Sequence, residues 1–325
     1  MAISPVSNNF LRKRGGTPET AGVKASVAGP RALARLGAVL FVELIGILAE
    51  AFDHDLTTGL VFLTIARANT ADIVSLRDQR EGLSPPVERR PISARSLAAG
   101  LGLTYETARR YIRKLREAGY CFTDQTGATI PSEVYQQASI RRVVQRTGEA
   151  AVRFVAQAEQ FGVMPPSPTP ASSEPRSAKP AARKLHDVEL HVMDFLSDGV
   201  SSANRRLGLD ISDFIILRAI WITNFRALIA DVELSQAYAE LYQFPPDEIM
   251  KPASLYSVAK LLDAPYETVR RTAINLEKLG FVARLEGGAF LMSEAIRRDA
   301  RFTAMIADTS ALTDRFLKSV TSAPP

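Results

Sequence analysis

The chain has 325 residues, of which 46% are hydrophobic and 23% are charged, an ordinary composition for a soluble protein with buried cores. Its single cysteine, Cys121, excludes an internal disulfide framework and a cysteine-based metal site. The histidines His54, His186 and His191 lack the spacing of a metal-binding pair on one helix face. We therefore expect no metal and no cofactor, and the length predicts two domains.

Neither a membrane span nor a secretion signal is expected. The apolar run Ala38–Ala49 contains Glu43 and is shorter than the ~20 residues that a membrane-spanning helix needs. The opening sequence MAISPVSNNFLRKRGG has no cleavable apolar segment. We expect a cytoplasmic protein without a membrane partner.

Basic residues are unevenly distributed along the chain. Residues 1–166 contain 21 Lys and Arg against 15 Asp and Glu, whereas residues 185–325 contain 15 against 19. Such an asymmetry indicates nucleic-acid contact by one half of a protein. The two halves are therefore expected to have different functions.

In chain order, residues 1–30 combine turn-forming residues with a basic triplet and predict a disordered basic arm. Residues 31–161 predict a helical domain. Residues 162–184 are rich in Pro, Ser and Ala and predict an extended linker, and residues 185–325 predict a second helical domain. Apolar residues at helical spacing predict long helices at about 31–51, 56–76, 134–161, 185–205, 212–231 and 294–320.

One pattern occurs twice, at an offset of 161 residues. Pro91–Glu133 aligns without a gap to Pro252–Glu294, with 16 identities in 43 columns. An echo precedes each copy, since LTTGLVFLTIARAN aligns to ISDFIILRAIWITN at an offset of 155. Self-similarity at a fixed period sets the architecture, and here it indicates a duplicated domain that includes flanking helices.

Each copy predicts a helix-turn-helix followed by a β-hairpin, or wing. In the first copy, Gly102 suits a tight turn, Thr104 suits a helix N-cap and Gly119 suits a helix stop. The following helix has a predicted buried stripe, and the residues from Tyr120 onwards alternate like two strands around a Gly-containing turn. The stripe is formed by Ala108, Ile112, Leu115 and Ala118, and by Val269, Ala273, Leu276 and Leu279 in the second copy.

The opposite face of this helix in the first copy is rich in arginine. Arginine can donate two hydrogen bonds to guanine or clamp a phosphate, and a helix in the major groove reads bases with its N-terminal turns. We expect this face, which also includes Arg116, to contact double-stranded DNA. The candidate DNA-binding residues are Tyr105, Glu106, Thr107, Arg109, Arg110, Arg113 and Lys114.

The second copy keeps the N-terminal turns of this helix but is less basic. Ile274, Asn275 and Glu277 stand where the first copy has Arg113, Lys114 and Arg116. Because phosphate neutralisation supplies much of DNA affinity, the second copy should bind DNA more weakly or contact protein. Its candidate residues are Tyr266, Glu267, Thr268, Arg270 and Arg271.

The motif Leu-x-Leu-Thr-Tyr-Glu-Thr-Ala-Arg-Arg, with a later Leu and Gly, resembles the winged helix-turn-helix of bacterial transcription regulators. It is most similar to the Glu-Thr-Val-x-Arg helix of the cyclic-AMP-receptor superfamily, with likeness to the IclR and GntR types. In that superfamily the Glu and the later Arg contact base edges. The resemblance implies this role for Glu106 and Arg110, and for Glu267 and Arg271.

The sequence thus predicts a mainly α protein with two duplicated winged helix-turn-helix domains, at about 91–133 and 252–294, and flanking helices. It favours a sequence-specific transcriptional regulator, with the flanking helices as candidates for a homodimer interface. A plasmid-type replication initiator and a chromosome-organisation or scaffold protein that binds other proteins remain alternatives. We expect no enzyme and no catalytic residues, since the chain contains no P-loop, Gly-x-Ser-x-Gly, HExxH or dinucleotide-binding motif.

Overall fold

A computed structural model describes residues 29–77, 90–164 and 178–321. This part of the chain is mainly helical, as predicted, and has two short antiparallel hairpins. Residues 1–28 of the predicted arm and residues 165–177 of the predicted linker lie outside the described residues.

In the first half, two long helices precede a helix-turn-helix and a hairpin, and a third long helix follows. We call residues 91–133 the first unit. Its hairpin pairs Phe122 with Thr129 and Thr123 with Ala128. The elements are α1 (Pro30–Ala49), a 3-10 turn (Glu50–Phe52), α2 (Leu56–Arg77), α3 (Ala94–Leu101), α4 (Tyr105–Glu117), β1 (Phe122–Thr123), β2 (Ala128–Thr129), a 3-10 turn (Ser132–Gln136) and α5 (Ala138–Gln160).

The second half follows the same order, with two short helices inserted before its helix-turn-helix. We call residues 252–294 the second unit. The elements are α6 (Ala178–Leu207), α7 (Ile211–Asn224), α8 (Arg226–Ala230), α9 (Val232–Ala237), a 3-10 turn (Asp247–Ile249), α10 (Leu255–Leu262), α11 (Tyr266–Lys278), β3 (Val282–Arg284), β4 (Phe290–Met292), α12 (Glu294–Arg298) and α13 (Ala300–Thr321).

Three predicted boundaries are wrong. The helix predicted at about 212–231 is interrupted at Phe225, so that α7 and α8 are separate helices. α6 begins at Ala178, inside the predicted linker 162–184, because its alanines favour helix and Pro180 lies in the first turn, where proline is tolerated. The predicted last helix is interrupted at Asp299, whose backbone is extended, so that α12 and α13 are separate helices. Apolar spacing alone does not locate such helix starts and interruptions.

A buried asparagine organises each unit in the same way. Asn69, at the end of the first echo segment, donates to the Arg90 and Ala128 carbonyl oxygens (2.6 and 3.3 Å) and accepts from the Ile130 amide (2.9 Å). Asn224, the matching residue of the second echo, makes the same three bonds. Its partners are the carbonyl oxygens of Lys251 and Phe290 and the amide of Met292, at 2.9, 3.0 and 2.9 Å.

These bonds show that the gapless alignment is one residue out of register after the hairpin turn. Ile92 bridges to Ala128 in the first unit, and its counterpart Ala253 bridges to Phe290 in the second. Ile92 and Ala253 are 161 residues apart in the sequence, whereas Ala128 and Phe290 are 162 residues apart. The turn of the second hairpin therefore contains one extra residue. A strand register is fixed by hydrogen bonds, and sequence identity could not detect this shift.

Four long helices, two from each half, form the centre of the molecule. α13 packs extensively against α1 and α6, and α5 also contacts both of these helices. Gly37 permits the closest approach, because a Cβ atom there would lie 1.9 Å from the Thr313 hydroxyl oxygen on α13. Buried apolar residues of both halves form one continuous cluster, so the segments predicted on either side of the linker share one core.

α1 is apolar around almost its whole circumference. Among the described residues, Pro30–Phe52 is the one helix long and apolar enough to cross a membrane, and 83% of its most apolar window is buried inside the protein. The helix extends beyond the apolar run Ala38–Ala49 at its N-terminal end, where Arg31 and Arg35 lie. Both guanidinium groups are buried and donate to carbonyl oxygens of residues 235–241. A helix buried on all sides is expected in the centre of a large core.

Candidate nucleic-acid interface

The start of α4 is fixed by local interactions that the sequence predicts. Gly102 has a left-handed backbone (φ 65°) in the turn after α3. The Thr104 hydroxyl accepts a hydrogen bond from the Thr107 amide at 3.2 Å and caps the helix. The Thr107 hydroxyl bonds to the Thr104 hydroxyl, and Glu106 lies in the first turn, where the helix dipole favours an acid. The cap and the turn are confirmed.

The inner face of α4 anchors it against α2 and α3. The first three residues of the predicted stripe are buried, but Ala118 is exposed because α4 ends at Glu117. Leu279, its counterpart after α11, is 55% exposed for the same reason. The stripe therefore ends one turn earlier than predicted, and the outer face of α4 is left facing solvent.

A groove of about 970 Å³ lies on this outer side, between the start of α3, the length of α4 and the hairpin turn at residues 124–127. Six of the seven residues predicted in the first copy line it, and Lys114 is the exception. Two acids, Glu106 and Asp124, also line it. The basic residues of the lining are Arg95, Arg109, Arg110, Arg113 and Arg116.

The groove arginines have weak internal partners. Arg109 is 3.9 Å from the Glu106 carboxylate and Arg113 is 4.0 Å from the Glu117 carboxylate, both beyond hydrogen-bonding distance, and both side chains are at least 60% exposed. Exposed ion pairs contribute about 0–1 kcal/mol. Arg109 also lies over the ring of Tyr105, with its central carbon 5.7 Å from the ring centroid. These arginines remain available to an incoming anion.

Lys114 has a different environment from the other predicted residues. Its ammonium nitrogen is 2.7 Å from the Asp55 carboxylate, which also caps α2 by accepting from the Thr57 and Thr58 amides. Burial alone would raise the pKa of Asp55, but the bonds from Lys114 and Thr58 lower it below its usual value. Lys114 therefore links α4 to α2, and its predicted DNA contact would require this ion pair to open.

The hairpin turn and Arg95 were not among the predicted residues. The Asp124 carboxylate accepts from the Thr126 hydroxyl and amide and from the Gly127 amide, at 2.5, 2.7 and 3.1 Å. The bond from the Thr126 hydroxyl is the main cause of the lowered pKa of Asp124, which keeps the turn negatively charged. The sequence Asp-x-Thr-Gly signals this turn, but its position beside α4 depends on the fold.

In the second unit, the five predicted residues lie along the first two turns of α11. Tyr266 is 51% exposed, and Arg271 and Glu267 are exposed as well. Arg270, however, donates two hydrogen bonds to Glu267, at 2.6 and 2.8 Å, whereas the equivalent pair in the first unit is 3.9 Å apart. These bonds lower the pKa of Glu267. Arg270 is therefore partly neutralised before any ligand arrives.

The remaining positions of the α11 face carry fewer cations. Asn275, at the position of Lys114, donates through its amide to the Asp213 carboxylate at 2.9 Å. Asp213 stands at the position of Thr58. In compensation, Arg284 stands on the hairpin at the position of Thr123. The second unit thus keeps the predicted residues of the N-terminal turns, but its positive charge is lower along the helix and higher on the hairpin.

No family model matches this chain, and neither the curated proteins nor the solved structures include a match. Among the described residues, no group of three or more His, Cys, Asp and Glu could hold a metal ion. The candidate site therefore rests on the geometry and charge of the first unit.

Proposed function

We propose that this protein is a sequence-specific transcriptional regulator that binds double-stranded DNA. In this proposal, both units act as winged helix-turn-helix domains, and the first unit is the main DNA reader. The supporting observation is the groove along α4, where five arginines line a surface between a helix and a hairpin. The motif's resemblance to bacterial regulators supports the same interpretation.

The groove has the groups that duplex recognition requires. The major groove admits an α-helix whose N-terminal turns reach base edges, while arginines further along bind phosphates. Arg109 and Arg110 lie in the second turn of α4, and Arg113 and Arg116 lie towards its C-terminus. We assign base contacts to Glu106 and Arg110, and phosphate contacts to Arg113 and Arg116.

The proposal is tested by selecting bound fragments from random DNA and measuring affinity by fluorescence anisotropy at several salt concentrations. The triple variant Arg109→Ala, Arg110→Ala and Arg113→Ala should lose about a hundredfold or more in affinity, since each good contact contributes about 1–3 kcal/mol. The dependence of log affinity on log salt should become shallower by about 1–2, because each phosphate contact contributes ~0.9 and Arg110 is assigned to a base.

A matched control removes the same charge outside both units. The triple variant Arg301→Ala, Arg315→Ala and Lys318→Ala changes three exposed residues of α13. It should keep the affinity of the wild type within about threefold, because distant charges are screened. Equal losses in both triple variants would show that only net charge matters and would contradict sequence-specific reading.

Protein binding by the second unit is a second candidate function, favoured by its exposed apolar side chains. Tyr256 is 71% exposed at the position of Arg95, and Leu285 is 38% exposed at the position of Asp124. Exposed apolar side chains at positions that are charged in the first unit are typical of a surface that contacts another protein. A regulator and a scaffold differ in the effect of the α4 triple variant, which should abolish only a regulator's activity.

A further inference from the structure

The two halves contact each other reciprocally around the connectors that follow α1 and α6. After α1, the His54 imidazole is 3.1 Å from the Asp263 carboxylate in the helix-turn-helix turn of the second unit. Asp55, one residue later, binds Lys114 of the first unit. The first connector therefore touches both units.

Around the second connector, residues 208–210, the corresponding contacts are made by the adjoining ends of α6 and α7. Near the end of α6, the Ser201 hydroxyl donates to the Gly100 carbonyl oxygen of the first unit at 2.6 Å. A Cβ atom at Gly102 would lie 2.1 Å from the Asn204 amide nitrogen. After the connector, Asp213 binds Asn275 of the second unit. The region around each connector thus contacts the second helix of its own unit and, in the other unit, the turn or the end of the helix before it.

This reciprocity is the arrangement expected of two subunits related by a two-fold axis. The central helices α1, α5, α6 and α13 agree with it, because two come from each half and α13 and α5 each contact both α1 and α6. Here a single chain supplies both halves. Their apolar faces are buried against each other, so these helices leave little apolar surface for a homodimer.

The symmetry is broken at the surfaces that face solvent. The shared residues lie in the N-terminal turns of α4 and α11, which read bases in a helix-turn-helix. The differing residues lie at the start of α3 and α10, along the later turns of α4 and α11, and in the hairpins. Arg95, Arg113, Lys114, Arg116 and Thr123 correspond to Tyr256, Ile274, Asn275, Glu277 and Arg284.

We propose that the chain is a built-in dimer that binds one duplex as a single molecule, at a site with two unequal half-sites. This inference rests on the proposed function and adds the class of DNA. The first unit supplies most of the affinity, and the second unit adds base contacts through Arg270 and Arg271. Because the half-sites differ, the protein binds in one orientation, and its operator is not palindromic.

The test starts from the duplex that the full chain selects, and the first readout is stoichiometry by native mass spectrometry. We expect one chain per duplex. The second readout compares two matched double variants, Arg109→Ala with Arg110→Ala and Arg270→Ala with Arg271→Ala, by footprinting and affinity. The first pair should weaken binding about a hundredfold or more, and the second about five- to tenfold, with protection lost on one side only.

A shortened duplex that retains only the first half-site separates the two contributions. On this duplex the second pair of substitutions should change affinity by less than about twofold, whereas the first pair should keep its full effect. Failure of the wild type to bind any duplex would overturn both the proposed function and this inference. Two chains per duplex would overturn only the inference. If the Arg270→Ala, Arg271→Ala variant binds the full site with wild-type affinity, the inference is also overturned. The exposed Tyr256 and Leu285 would then be assigned to the binding of a protein partner.

Discussion

Lys114 and Arg110 lie one helical turn apart on α4, but their side chains have different surroundings. Lys114 binds Asp55 at 2.7 Å, whereas Arg110 is exposed and lines the groove beside its own neighbour Tyr111. A cation that must break an internal ion pair to reach DNA contributes less to DNA affinity than an exposed cation that already lines the groove. The structure thus separates two residues that the sequence treats alike.

We predict that Lys114→Ala weakens binding to the selected duplex by less than about threefold, whereas Arg110→Ala weakens it by tenfold or more. Affinity is measured by anisotropy at one fixed salt concentration. Asp55→Asn is the complementary change, since it releases the Lys114 ammonium and should strengthen binding. Equal losses for Lys114→Ala and Arg110→Ala would show that the ion pair opens on the duplex.

Arg218 is a buried cation at the centre of the molecule. It is 3% exposed, one of its terminal nitrogens donates to the Thr309 hydroxyl at 3.0 Å, and its Nε atom has no hydrogen-bond partner among the described residues. Its central carbon lies 4.8 and 4.7 Å from the ring centroids of Phe41 and Phe214. Burial lowers the pKa of Arg218 to about 9, which reflects the cost of removing its charge from water.

We predict that Arg218→Met raises the free energy of unfolding by about 1–3 kcal/mol, because a similar volume is kept and the buried charge is removed. Urea denaturation followed by circular dichroism measures the change. Arg218→Lys keeps the charge, loses the stacking on both rings and should not stabilise the protein. A less stable Met variant would mean that the rings and Thr309 compensate fully for the lost hydration.

At the scale of elements, the contact between α1 and α13 depends on a small residue. Gly37 has no room for a side chain, since its Cβ would meet the buried Thr313 at 1.9 Å. Gly46 lies nine residues later on α1, and a Cβ atom built there would have no atom within 4 Å. The two glycines therefore form a matched pair on one helix.

We predict that Gly37→Ala destabilises the protein by about 1–3 kcal/mol through overpacking. Gly46→Ala should instead be neutral or stabilise by up to ~1 kcal/mol, because alanine favours helix. Thermal or urea unfolding distinguishes the two variants. Adding Thr313→Ser to Gly37→Ala should not restore stability, because the clash is with the hydroxyl oxygen, whereas Thr313→Ala should restore part of it.

Most helices and hairpins could be predicted from the sequence, but the elements that each of them packs against could not. The Thr104 cap, the Gly102 turn and the hairpin after Tyr120 depend on residues close together in the chain, and all three are confirmed. The pair of Lys114 with Asp55 joins residues 59 positions apart, and no local pattern indicates it. Likewise, the all-round apolar surface of α1 predicts burial without naming α13 as the partner.

At the scale of the whole molecule, the shared core implies that both halves unfold together. The sequence division at residues 162–184 would allow two independent transitions. In the structure, however, α1 of the first half and α13 of the second pack extensively against each other, and the buried apolar residues form one cluster. Loss of either half would expose the central helices of the other.

Two natural probes can test this coupling, one in each half. Trp221 is the single tryptophan and is buried in α7 of the second half. Cys121 is the single cysteine and is buried in the first half, where desolvation raises its pKa to about 11. At pH 8 the folded protein therefore holds almost no thiolate, and a thiol reagent should label Cys121 only after unfolding.

We predict that the urea midpoint from Trp221 fluorescence and the midpoint from pulse labelling of Cys121 coincide, as expected for a single cooperative transition. Both probes should shift together in Gly37→Ala, although Gly37 lies in neither unit. An earlier midpoint for Cys121 than for Trp221 would show that the first half unfolds alone. The two units could then move independently, and one duplex would no longer be read by a rigid pair.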